Sequence, residues 1–110
     1  MTNLPPTELH VMEKGTYALA GELTFSSVPD LWRKNRHFFT NLAPSDGKIV
    51  IDLDKVARTD SAGLVLMLEW LRQANSRDII LRFQNIPKQM LCLANMAEVD
   101  FLFDGGNSDG

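Results

Sequence analysis

An α/β fold, with a mixed β-sheet of four to five strands and about three helices packed on it, is predicted by three observations. The run Ile49-Val50-Ile51-Asp52-Leu53 is mostly β-branched and nearly continuous, as expected of a central strand covered on both faces. A few residues later Asp60-Ser61 opens a stretch whose apolar residues recur at helical spacing. Finally, short apolar runs alternate with helical segments in the order strand, strand, helix, strand, helix, strand, helix, followed by a short end. A chain of 110 residues, 45% hydrophobic and 23% charged, suits one core. The domain is assigned to residues 1–103, and the polar, glycine-rich stretch 104–110 is expected to be a disordered tail.

In chain order, Glu8 to Glu13 carries Leu9, Val11 and Met12 as strand residues, and Lys14-Gly15 turns the chain into Thr16 to Ala20, forming a hairpin. Gly21 to Phe25 leads out, and Ser26 or Ser27 caps a helix whose first turn contains Pro29 and Asp30. This helix is expected over Val28 to Phe39, with Val28, Leu31, Asn35, Phe38 and Leu42 inward and Trp32 and Phe39 on the flank. Asn41 to Gly47, with Pro44 and Asp46, reads as a loop. The central strand follows, and then the helix from Ser61, in which Leu64, Met67, Leu68, Leu71 and Ala74 form one stripe toward the sheet. Asp78 marks a turn before the strand Ile79 to Phe83. Pro87 opens a third helix to about Met96, with Met90, Leu91 and Ala94 inward, and Val99 to Phe103 is long enough only for an edge strand or a packed turn.

A net charge of -3 and a pI near 5.2 argue against a nucleic-acid binder, which usually presents a basic face. The basic residues Arg33, Lys34, Arg36 and His37 interleave with Leu31, Trp32, Phe38 and Phe39, so they read as the solvated side of a helix. Cys92 lies in the apolar run Met90 to Ala94; no internal disulfide can form, and a buried thiol in a reducing compartment is expected. The first residues lack the basic start and apolar run of a signal peptide, and no apolar stretch reaches membrane-spanning length. A cytoplasmic protein without direct membrane insertion is expected, and any work at a membrane requires a partner to hold it there.

Asp52, Asp54 and Asp60 fall at and after the C-terminal end of the central strand, where open sheets often place chemistry. Asp52-x-Asp54 resembles the nucleophile motif of haloacid-dehalogenase-like phosphatases, but the cap and distal motifs of that family have no room here. A receiver domain needs an acidic pair after its first strand, and Val11-Met12-Glu13-Lys14 supplies one acid. Asp52 and Asp54 are therefore read as turn residues that accept from local backbone donors. His10 and His37 have no metal-ligand spacing with each other or with Cys92, and the glycines form no phosphate-cradling motif. No catalytic residue, metal or cofactor is assigned.

The helix from Ser61 has a second apolar strip, Ala62, Leu66 and Trp70, bracketed by Glu69 and Gln73. Leu66 and Trp70 can both pack against neighbouring helices, and that reading is the favoured one for Trp70. Ala62 and Leu66, beside Ser61 and near Trp32, are instead read as a partner-binding patch. The positive end of the helix would tolerate a phosphate on the Ser61 hydroxyl.

The stretch Asp60-Ser61-Ala62-Gly63-Leu64 after a strand and turn resembles the core motif of STAS domains, small α/β domains named for sulfate transporters and anti-sigma factor antagonists. The resemblance extends over nearly the whole chain, including Gly21-Glu22-Leu23-Thr24 and Leu81-Arg82-Phe83-Gln84-Asn85-Ile86-Pro87. Within that family, Val28-Pro29-x-Leu31-Trp32 and Leu68-Glu69-Trp70-Leu71-Arg72 are similar to the STAS subunit of a phospholipid ABC transporter of Gram-negative bacteria. The resemblance implies a single SpoIIAA-like domain without enzymatic activity. It would bind the cytoplasmic ATPase subunit of that transporter, within a complex with a membrane permease at the inner membrane, and support outer-membrane lipid asymmetry. Ser61 matches the family's phosphoacceptor-like switch position, and Asp60 and Gly63 match the turn that presents it. The alternative implied is an anti-sigma factor antagonist switched by phosphorylation of Ser61. Homo-oligomerisation through the same strip is a third, less favoured arrangement.

Overall fold

A computed structural model describes residues 7–41, 47–99 and 103. The expected tail 104–110, Leu42, Pro44 and Asp46 lie outside the described residues. Two strands, β1 (Glu8–Glu13) and β2 (Thr16–Leu23), form an antiparallel hairpin, with Gly15 at φ 79° in its turn. The helix α1 (Val28–Lys34) follows, then β3 (Lys48–Asp52), β4 (Val56–Thr59), α2 (Ser61–Ser76), β5 (Ile80–Gln84) and α3 (Lys88–Met96). The sheet runs β1-β2-β3-β5, with β3 parallel to both β2 and β5.

The sequence reading missed β4, which pairs in parallel with the C-terminal part of β2. Because β3 pairs with Thr16 to Ala18 and β4 with Gly21 to Leu23, the two lie in series along one edge of β2, separated by a turn at Leu53 to Lys55. Gly21 sits at that change of partner, where the register shifts and the Gly21 N–H donates to the Lys55 carbonyl at 3.2 Å. Its φ of 106° belongs to the region that glycine adopts freely, and a Cβ there would lie 2.9 Å from the Thr7 Cα.

The central strand is not equally covered on both faces. Ile49 and Ile51 are fully buried, while Lys48 is exposed and Val50 and Asp52 are half-buried. The register places Ile49 beside Leu81 and Ile51 beside both Tyr17 and Phe83, so one face carries the core. Residues of the three helices join that core: Leu31 from α1, Leu64, Leu66, Met67, Trp70 and Ala74 from α2, and Met90 and Ala94 from α3. β1 is an edge strand; Leu9 packs against the core, but Val11 and Met12 are largely exposed.

Helix α1 stops at Lys34 rather than Phe39. The Asn35 side chain donates to the Leu31 carbonyl at 2.9 Å, competing for the helix's own acceptor, and the chain continues as turns. This also lets consecutive aromatics point inward, which a helix would separate by about 100°. Phe38 packs edge-on to Tyr17 with centroids 4.8 Å apart, and Phe39 lies 6.5 Å from Trp70. Ser27 occupies the N-cap position but its hydroxyl makes no cap bond; it accepts from the Thr24 N–H and donates to the Glu22 carbonyl.

Cys92 is exposed, contrary to the expected buried thiol. Its run is apolar, but α3 buries only the narrow stripe of Met90 and Ala94, and Cys92 lies about 200° round the helix from Met90. Leu91 is exposed for the same reason, against expectation.

Candidate partner-binding surface at the start of α2

Asp60 joins three elements. Its backbone N–H donates to the Leu23 carbonyl at 3.0 Å, one carboxylate oxygen accepts from the Ala62 N–H at 2.8 Å, and the other accepts from the Phe25 N–H at 3.1 Å. The carboxylate thus caps α2 and fixes the loop between β2 and α1 against its first turn. Gly63 is buried and faces inward, where a Cβ would lie 2.2 Å from the Thr59 hydroxyl and 3.0 Å from the Leu23 carbonyl. That close approach of two backbones sets Ser61 on the outside, exposed, with Ala62 half-buried beside it.

From this point an open groove of about 390 Å³ runs between α1 and α2, lined by Val28, Pro29, Trp32, Val65, Leu66 and Glu69. Leu66, with 2% of its surface exposed, is its floor, and the half-buried Trp32 is one wall. Val65, one helical turn after Ser61, is 62% exposed, and Phe25, tied to Asp60, is 71% exposed. The polar side chain in the lining is Glu69, whose carboxylate receives both the Nε and an Nη of Arg72. Those hydrogen bonds hold its carboxyl below the ordinary range, against an opposing effect of partial burial.

The structure therefore places Trp32 and Leu66 on one groove and Ser61 and Ala62 at the helix start, while Asp60 and Gly63 hold that start in place. Trp70 belongs to the core, fully buried 6.5 Å from both Phe38 and Phe39. The sequence reading did not single out Val65, Phe25, Val28, Pro29 or Glu69 as site residues. The signal for Val65 was its position four residues after Ser61, on the same helix face; the exposure of Phe25 follows from a loop held by Asp60 and carries no periodic signal.

The Asp52 carboxylate at the strand end makes a structural clasp. One Asp52 oxygen accepts from the Asp54 N–H at 2.9 Å and from the Asn85 amide at 3.0 Å, and the other accepts from the Gln84 amide at 3.2 Å. Among the described residues, no cluster of three or more His, Cys, Asp or Glu side chains could hold a metal ion. No described helix is long and apolar enough to cross a membrane.

A half-open sheet with helices on one face, and a capped Asp-Ser-x-Gly-Leu turn presenting a serine, define a STAS-type domain. A family profile described as "Mlab, STAS domain" matches residues 10–104, and the chain belongs to the STAS family. More particularly, it is a STAS domain protein like MlaB. The intermembrane phospholipid transport system binding protein MlaB of Haemophilus influenzae is 32% identical over 85 residues, covering 76% of this chain and 80% of that protein. Among solved structures, the unphosphorylated anti-sigma factor antagonist SpoIIAA matches with a TM-score of 0.59 at 18% identity, over 82% of each chain. The structure of SLC26A9 matches with a TM-score of 0.62 at 14% identity, covering 83% of this chain and 16% of that one. Both likenesses concern the fold.

Proposed function

We propose that the protein is a non-enzymatic STAS subunit associated with an Mla-type phospholipid transporter. It binds the cytoplasmic ATPase of that transporter, an MlaF-like subunit within a complex with a membrane permease. It supports the complex's assembly or activity in maintaining outer-membrane lipid asymmetry, and lies at the inner membrane through its partner. The observation that carries this reading is the exposed apolar surface near Ser61: a groove walled by Trp32 and Val65, with Phe25 exposed on the loop that Asp60 ties to the start of α2. Such a surface suits a hydrophobic protein contact, and the MlaB relative suggests which system supplies it.

Ser61 is exposed at the start of α2, and this favours a second reading, an anti-sigma factor antagonist switched by phosphorylation of that hydroxyl. A phosphate adds about -1.5 to -2 charges and would disrupt an apolar contact next to Val65. Affinity purification of the tagged protein from its own cells, with intact-mass analysis, separates the two. Recovery of an ABC ATPase and permease with unmodified Ser61 is expected; recovery of a kinase-like anti-sigma factor with phosphate on Ser61 would establish the second reading instead. Ser61→Glu should weaken ATPase binding while leaving the melting temperature within a few degrees of wild type, because a helix start accepts negative charge.

A further inference from the structure

Glu69 is a carboxylate in an otherwise apolar groove. Its side chain retains 30% exposure, and its two oxygens take the fork of Arg72, a residue whose own side chain is 69% exposed. A carboxylate oxygen has two acceptor directions, so the fork uses one on each oxygen, the Gln73 side chain also donates to the carboxylate, and the acceptors that remain are left to water. A partner that covers the groove removes that water. An apolar surface alone would leave the remaining acceptors unsatisfied, and a carboxylate seated on Glu69 rather than on Arg72 would be repelled, each at a cost in binding. A basic side chain satisfies them and shares the carboxylate with Arg72.

We infer that Glu69 selects the occupant of this groove: an apolar segment of the partner that carries one lysine or arginine, seated so that its cation meets the Glu69 carboxylate. This rests on the groove being the ATPase-binding surface, and it assigns to Glu69 the specificity within that surface. The apolar walls Trp32, Val65 and Leu66 supply contact with little preference among apolar partners, whereas the charge pair fixes register and rejects acidic ones.

The test is titration calorimetry of the full chain with the purified MlaF-like ATPase from the same cells, at about 0.05 M and about 0.5 M salt. Glu69→Gln keeps helix propensity and shape, and unchanged circular dichroism verifies its fold. It is expected to weaken binding about tenfold at low salt and only about two- to threefold at high salt, since screening shortens the reach of the lost attraction. Arg72→Gln should change affinity by less than about twofold, because Glu69 still meets the partner's cation. Equal affinity of Glu69→Gln and wild type at both salt concentrations would overturn the inference, as would a greater loss from Arg72→Gln than from Glu69→Gln. Val65→Asp distinguishes the two levels. If it abolishes binding while Glu69→Gln does nothing, the selectivity role alone fails; if it binds as wild type does, the groove is not the interface.

Discussion

Gly63 in the first turn of α2 and Asp52 at the end of β3 show how single residues hold this fold together. Gly63 has no room for a methyl group, since its Cβ would meet the Thr59 hydroxyl at 2.2 Å and the Leu23 Cβ at 2.9 Å. Gly63→Ala is expected to destabilise the fold by about 2–3 kcal/mol, read as a lower urea midpoint; unchanged stability would mean that α2 does not press on β2 as described. Partial burial of Asp52 raises its pKa, but the hydrogen bonds from Asn85, the Asp54 N–H and Gln84, with Lys55 nearby, outweigh this and lower it below the ordinary aspartate value. A lowered folded-state pKa adds stability above the unfolded-state value, and that stability is lost as the pH falls through the folded-state value. Asp52→Asn should therefore lower stability at neutral pH and lose less than wild type on acidification toward pH 3, a difference that melts across that range would detect. The roles of Asp60 and Gly63 were legible from residue type and spacing. The exposure of Cys92 was not, because hydrophobic neighbours in sequence say nothing about which face of a one-stripe helix packs.

At the scale of elements, α2 and α3 end in the same way without glycine. Ala74-Asn75-Ser76-Arg77-Asp78-Ile79 and Ala94-Asn95-Met96-Ala97-Glu98-Val99 both turn into the left-handed region at the acidic residue, with φ 57° at Asp78 and 59° at Glu98. In each, the N–H of the following β-branched residue returns to the alanine carbonyl at 2.9 Å, and Ile79 and Val99 pack against the core. These are Schellman endings in which an acidic residue occupies the usual place of glycine. Asp78→Gly and Glu98→Gly should each stabilise the protein by about 0.5–1 kcal/mol, relief of backbone strain outweighing the added freedom of the unfolded chain. Thermal melts showing a loss for both would contradict the assigned conformation. Asp78 was readable as a turn, but its left-handed backbone was not, since sequence favours glycine there. The early end of α1 was hidden similarly: Phe38 fits the inward helical stripe with Phe39 on its flank, and Asn35 diverts the chain before it reaches them.

At the scale of the whole molecule, the order of strands and helices was legible because each helix has an apolar stripe and the hairpin has a turn. What escaped was β4, whose four residues include the exposed Ala57 and Arg58, and with it the series arrangement of β3 and β4 along β2. That arrangement determines the site. α1 and α2 each connect parallel strands, so they run in the same direction on the core face and leave the groove between them, opening beside Ser61. The central claim is that this groove and the serine at its head form one surface for the transporter ATPase. Its most direct test is the dissociation constant of the purified chain with the MlaF-like ATPase, measured for wild type and Val65→Asp. Val65 is 62% exposed, so the substitution should leave the fold intact. A weakening of at least about a hundredfold at unchanged melting temperature is the predicted result, since burying a lone carboxylate in an apolar contact costs several kcal/mol. Wild-type affinity in that variant would contradict the account.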